Sequence, residues 1–435
     1  MNAREPGSTA DYLGAFRRVS GVLPGQRLDW LRQARAEAIG RFVQQGFPTQ
    51  REEDWKYTNV ASIEKGRFNV LPAPYPEFLA AQVNTHALPD SHLLVFVNGR
   101  LEPELCRPGH LPQGVLLSSL AYRLDQNPQG LEEALVIFHP SSAFTDLNLA
   151  FMADGAYVHL PPGAVVKAPI QLLFIATEAG LAIQPRNLVL AEAGSSASIV
   201  EHHVAVRDSS YFTNAVTEIM LGQGATIEHH KLQQESLTAF HIATVNVKQA
   251  AKSHFISGSF ALGARLARTG ITVALQAEDA TCTLDGLYLT DGRQHVDHHT
   301  RIDHLKPRCS SREFYKGVLN GASRAVFNGR VVVHPDAQGS DALQTNHNLL
   351  LSENAEIDTK PQLEIWADDV KCNHGATVGQ LNVDQVFYLC SRGIGQISAR
   401  ALLTRAFAME VIDRVHILSL QERLDELLQD KLPRQ

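Results

Sequence analysis

Residues 370 to 379 read VKCNHGATVG. If this stretch is extended, side chains alternate between faces, so Cys372 and His374 share one face and Lys371 and Asn373 take the other. A thiol and an imidazole two residues apart suit three kinds of chemistry. A nucleophilic cysteine needs an oriented base, and no G-x-S-x-G elbow or oxyanion-hole motif accompanies this pair. A metal ion needs more, because two ligands leave a tetrahedral centre half filled. A second chain could supply the rest, which would place the ion at an interface. The bland reading is a free thiol in a core beside a hydrogen-bonded histidine, since cysteine is among the most buried residue types. Spacing alone favours the bland reading.

Histidine is abundant, with 19 residues. The densest run is HVDHHTRIDH, 295–304. On a strand, His295, Asp297 and His299 would share a face. Imidazole and carboxylate together suit zinc or iron, but no further converging ligand is evident, and a solvated outer face is the expectation. Val200-Glu201-His202-His203 returns as Ile227-Glu228-His229-His230. A strand repeated one coil later in a solenoid would look like this, and a stacked surface ladder is expected rather than a ligand set. Trp55 and Tyr57 are expected to anchor their loop rather than stack on a ligand.

These residues sit in a chain of 435 residues with 39 basic and 46 acidic side chains, net charge -7. That balance lacks the basic footprint of a nucleic-acid binder. The polar N-terminus lacks the apolar core of a signal peptide, and no apolar run is long enough to span a bilayer. A cytoplasmic protein is expected. Five cysteines form no C-x-x-C pair and are expected to be free thiols. No G-x-x-x-x-G-K-[ST] and no G-x-G-x-x-G between strand and helix is present, so nucleotide chemistry would have to come from a partner.

Three textures follow one another along the chain. Residues 1–145 are read as an N-terminal helical region with a short hairpin. LDWLRQARAEAIGRFVQQGF carries Leu28, Leu31, Ala34, Ala38, Phe42 and Val43 at helical spacing, and Asn98-Gly99 in LLVFVNGRL is a hairpin signal. Residues 146–378 change to brief alternating segments broken by glycines. Brief strands and irregular turns favour a parallel β-helix over a sandwich or barrel. Residues 379–435 are helical again: DQVFYLCSRG, then SARALLTRAFAMEVIDRV with Leu403, Phe407, Val411 and Val415 in a stripe, then SLQERLDELLQDKL. The last has Leu424, Leu427 and Leu428 on one side and a capping box at Ser419 and Glu422. Such a unit is expected to be a cap, a docking surface, or both.

Two stretches carry a resemblance to a known family. GFPTQREEDWKYTNV, 46–60, resembles the N-terminal signature of the SufB/SufD family, and DDVKCNHGATVGQLNVDQVFYLCSRGI, 368–394, resembles the C-terminal signature on its SufD side. PPGAVVKAPI, 161–170, and residues 320 to 369 also fit, so the resemblance spans essentially the whole chain. Where SufB has a glutamate after the corresponding histidine, this chain has Gly375; Asn373 and Gln380 are minor departures. The resemblance implies a central right-handed parallel β-helix flanked by helical regions. It implies a cytoplasmic scaffold for iron–sulfur cluster assembly, not an enzyme, that pairs with SufB through the β-helix. It also implies that residues 379–435 dock the ATPase SufC, so the nucleotide site is the partner's. His374 would face SufB and contribute to a transient cluster shared with it, with Cys372 of lower weight. A homodimer is the expected alternative when SufB is absent. Two rival readings stay open: a purely structural partner of SufB that donates no ligand, and a parallel β-helix carbohydrate-active enzyme. A third, a cupin-like metalloprotein using 295–304, would require tightly bound metal in the single chain.

Overall fold

The computed structural model describes residues 8–70, 79–137 and 141–432. Its centre is a parallel β-helix with two strands per coil. Strands Ser196–Ala205, Thr226–Gln234, His254–Ala261, Thr281–Thr290, Ser310–Leu319, Ser340–Leu350 and Val370–Gly379 stack in one sheet, the first. Strands Phe212–Leu221, Phe240–Gln249, Leu266–Leu275, His295–His304, Arg324–Val333 and Glu356–Ile365 alternate with them in chain order and stack in the second. Each strand therefore pairs in parallel with the strand one coil away, as Thr226 does with Ser196 and with His254.

Alternation along each strand fixes what goes inside. Ala197, Ile199, Ile227, Phe255, Val245 and Ile271 point between the sheets and form one continuous core. A fully buried Val, Leu or Ile contributes roughly 1.5–3 kcal/mol, and here each packs against the coils above and below.

Helices cover both outer faces. Asp29–Gln45 is the expected helix; it ends at Gly46, whose φ of 69° suits glycine. Its buried face of Leu31, Ala34, Ala38 and Phe42 joins Ala143–Phe151 and lies on Leu188, Phe212, Phe240 and Leu266 of the second sheet. Beneath that layer Arg186 and Glu218 form an ion pair of 2.7 Å with both side chains fully buried. On the other side, Gln396–Ile412 and Leu418–Lys431 bury Ala408, Val411, Ile412, Leu420, Leu424 and Leu428 against Val200, Leu232, Phe260, Leu287 and Val318 of the first sheet. The two expected apolar stripes are thus largely consumed within the chain, and these helices sit on the flank of the solenoid rather than over its end. The capping box expected at Ser419 is not formed. The helix begins at Leu418, with Ile417 as its N-cap and no side-chain cap, so Ser419 lies inside the first turn.

The two ends differ. At one end, His92–Val97 adds in parallel to Ile170–Ala176, and Arg100–Leu101 turns back on it through Asn98 and Gly99, both at positive φ, as the sequence predicts. The four-residue strand Leu116–Ser119 closes the second sheet antiparallel to Ala156–Leu160. At the other end both sheets stop at ten-residue strands, Glu356–Ile365 and Val370–Gly379, each paired on one side only. No helix among the described residues is long and apolar enough to cross a membrane.

Candidate functional site at the open end of the solenoid

Val370–Gly379 is the last strand of the first sheet. Cys372 pairs with Ala342 and His374 with Gln344, and both partners are buried. Cys372 and His374 therefore point along the interior direction of the solenoid, as alternation predicts, but no coil lies above them. Cys372 is half-buried against the edge of the core, and burial pushes its thiol up. The His374 side chain is exposed and has no hydrogen-bond partner among the described residues. The reading of a core thiol beside a hydrogen-bonded histidine fits Cys372 in part and does not fit His374.

The floor of this end is polar. Gln344 donates to Glu313, whose carboxyl is pushed up to about 7 by burial, against the pull of that hydrogen bond. Beside it Asn346 donates to Tyr288, and Tyr288 donates to Asn348. The two tyrosine rings fit because glycine stands next to each. A Cβ at Gly286 would lie 2.0 Å from the Tyr315 ring, and one at Gly317 would lie 2.1 Å from Tyr288.

The rim is apolar and uncovered. Trp366 is 68% exposed, and helix Val383–Ser391 buries none of its residues, leaving Val383, Phe387 and Tyr388 in the open. Two bare strand edges beside exposed aromatic side chains are an unfinished surface, because unpaired edge groups and apolar patches both gain from a covering partner.

The other histidine groups fall elsewhere. His295, Asp297 and His299 do share a face, and it is the outer one, but it is not solvated. Thr58 of the N-terminal loop bonds both His295 and Asp297, and Asp297 also pairs with Arg268 and His299. Burial would raise Asp297, but Arg268 and His299 outweigh it and hold the carboxyl far below its ordinary range. Trp55 anchors the same loop, 5.3 Å from the Phe144 ring.

The Glu-His-His repeats do not form a surface ladder either. Glu228 pairs with Ser198 and Glu201 with Lys231, so the second motif lies three residues out of register with the first. An odd slip reverses the faces. Glu201 and His203 point into the solenoid, bonded to each other at 2.8 Å, whereas Glu228 and His230 point outward beneath the C-terminal helices, bonded at 2.7 Å. Sequence reasoning missed one convergence altogether: His203, Glu235 and His241 meet inside the coil stack. The only sequence signal for it was the inward face of one repeat.

The chain matches two family descriptions that follow one another along it. Residues 7–172 match the SufBD protein N-terminal region, and residues 174–407 match the SUF system FeS cluster assembly, SufBD core domain. It is 36% identical to an iron-sulfur cluster assembly SufBD family protein of Synechocystis, over 90% of this chain and 88% of that one. It is 33% identical to iron-sulfur cluster assembly protein SufD of Escherichia coli, over 91% of this chain and 92% of that one. A third relative, the chloroplastic protein ABCI7 of Arabidopsis thaliana, is 30% identical over 91% of this chain and 83% of its own.

Proposed function

Because the chain belongs to the SufB/SufD family of the SUF iron–sulfur assembly system, on its SufD-like side, we propose that it pairs with SufB through the open end of its solenoid and presents His374 to a cluster being built there. One observation carries this reading: an unpartnered imidazole on a bare ten-residue edge strand, flanked by uncovered apolar side chains. Strand addition to such an edge supplies main-chain hydrogen bonds, and the exposed side chains around it add area.

The iron–sulfur cluster is cargo in this scheme. Imidazole is an established iron–sulfur ligand, though thiolates dominate. Cys372 stands next in the same file, but its raised thiol is less disposed to give the thiolate that binds iron. A site divided between two chains opens when one moves against the other, which suits a scaffold that must release its product. The motion would come from SufC, docked on the C-terminal helices. Since their inner faces are buried, docking falls to the outer ones, where Leu402 and Leu418 are exposed.

The test is His374→Ala in the chain assembled with SufB and SufC. Complex assembly on size exclusion is expected to be unchanged, because an exposed side chain supports little of the fold. Iron and sulfide loaded on the purified complex are expected to fall severalfold or more. Cys372→Ala is expected to be milder. Normal loading by His374→Ala would leave the structural-partner reading standing.

A further inference from the structure

The convergence of His203, Glu235 and His241 lies deep in the solenoid, remote in sequence and in position along the coil stack from His374. His203 comes from the strand Ser196–Ala205, and Glu235 from the corner just after Thr226–Gln234. His241 comes from Phe240–Gln249 in the opposite sheet. One ligand atom from each lies within 4.8 Å of the other two. All three side chains are buried, His241 completely.

Two features mark this as more than an internal hydrogen-bond network. Nε2 of His241 has no hydrogen-bond partner, although buried polar atoms almost always find one. Its Nδ1 lies 2.6 Å from Glu235 Oε2. The neighbouring groups are also oriented. Thr213 donates to Glu235 Oε1 at 2.7 Å and Gln233 to Oε2 at 3.1 Å. His203 Nε2 is bonded to Glu201 at 2.8 Å, which leaves the other nitrogen, Nδ1, with a free lone pair. A carboxylate behind a ligating imidazole is the usual support of a metal centre. Lys231 approaches Glu201 at 3.6 Å, and its charge also acts on Glu235 and on both histidines, whose imidazoles burial and that charge hold neutral and so able to ligate.

We propose that His203, Glu235 and His241 bind one divalent ion of the zinc or ferrous class, which braces the two sheets of the solenoid from inside. Two imidazoles and a carboxylate are borderline ligands that suit those ions. Bonds of about 2.0–2.2 Å at tetrahedral angles separate ligand atoms by roughly 3.4 Å, a spacing bracketed by the 2.6 Å contact and the 4.8 Å limit. The corner at Glu235 and Ser236 is buried and leads to the exposed Leu237. This site is independent of the interface reading: it needs neither SufB nor a cluster.

The experiment uses the purified full chain, stripped with chelator and titrated with Co2+ alone. Expected are one equivalent bound, the visible d–d bands of a four-coordinate ion, bleaching by Zn2+, and a thermal midpoint raised by several degrees. His241→Gln and Glu235→Gln are expected to abolish the bands, and His374→Ala to keep them. Should both interior variants fail to fold, the stripped wild-type chain decides: no Co2+ bands and no midpoint shift overturn the proposal. Bands undiminished in the folded interior variants, or lost in His374→Ala, overturn it as well.

Discussion

The guanidinium of Arg268 lies over Trp55, its central carbon 3.9 Å from the ring centroid, and the same side chain pairs with the buried Asp297. An N-terminal loop is thereby latched to the outer face of the second sheet, more than two hundred residues along the chain. Trp55→Ala is expected to lower stability by about 2–3 kcal/mol, below the range for a fully buried tryptophan because Trp55 is half-buried. Chemical denaturation of the two proteins side by side checks it, and an unchanged midpoint would refute the latch.

The Arg186–Glu218 pair, fully buried between helix and sheet, gives a second expectation. Arg186 also donates to Asn148 Oδ1 and the Leu135 carbonyl. Glu218→Gln keeps the shape and removes the countercharge. A buried ion left alone is expensive, so a loss of about 3 kcal/mol is expected. Removing both charges together, as Arg186→Met with Glu218→Leu, should recover a good part of it.

The interior histidines predict how the chain responds to acid. His298, between the rings of Tyr288 and Tyr315, and His304 are both lowered by burial to about 4 from 6.5. Between those values the unfolded chain binds more protons than the folded one. Stability is therefore fully present above pH 6.5 and is lost as the pH falls toward 4. His298→Gln is expected to flatten this fall by on the order of 2–3 kcal/mol. Thermal midpoints taken from pH 7 to pH 4.5 read it directly, and parallel curves for the two proteins would contradict it.

Truncation at residue 396 is expected to fail as a clean probe of SufC docking. It would strip Val200, Leu232, Phe260, Leu287 and Val318 of their cover, and an apolar sheet face of that size promotes aggregation. Leu402→Glu and Leu418→Glu, on the exposed side, are expected to leave circular dichroism unchanged and to weaken SufC binding in a pull-down. Full binding by both would move the docking surface elsewhere.

Much of this fold is visible in local patterns. The helix at Asp29–Gln45, the hairpin at Asn98-Gly99 and the shared face of Cys372 and His374 follow from periodicity and turn chemistry alone. What escapes are relations between distant segments. Nothing in VKCNHGATVG says that no further coil follows it, so the exposure of His374 is invisible locally. HVDHHTRIDH reads as a wet strand until Thr58 is brought onto it. The paired Glu-His-His motifs reveal a coil repeat, yet their opposite orientations depend on a three-residue slip in register that only the assembled sheet displays.

The unequal ends of the coil stack also limit how large an assembly can grow. Two-residue and four-residue antiparallel strands finish one end, too short to template another chain. The ten-residue edges at the other end can accept a neighbour once. Stacking through them would join two chains nose to nose and leave only short-stranded ends outward, so the product would be a closed pair with a single seam. A stack of coils bare at both ends would instead propagate into a filament.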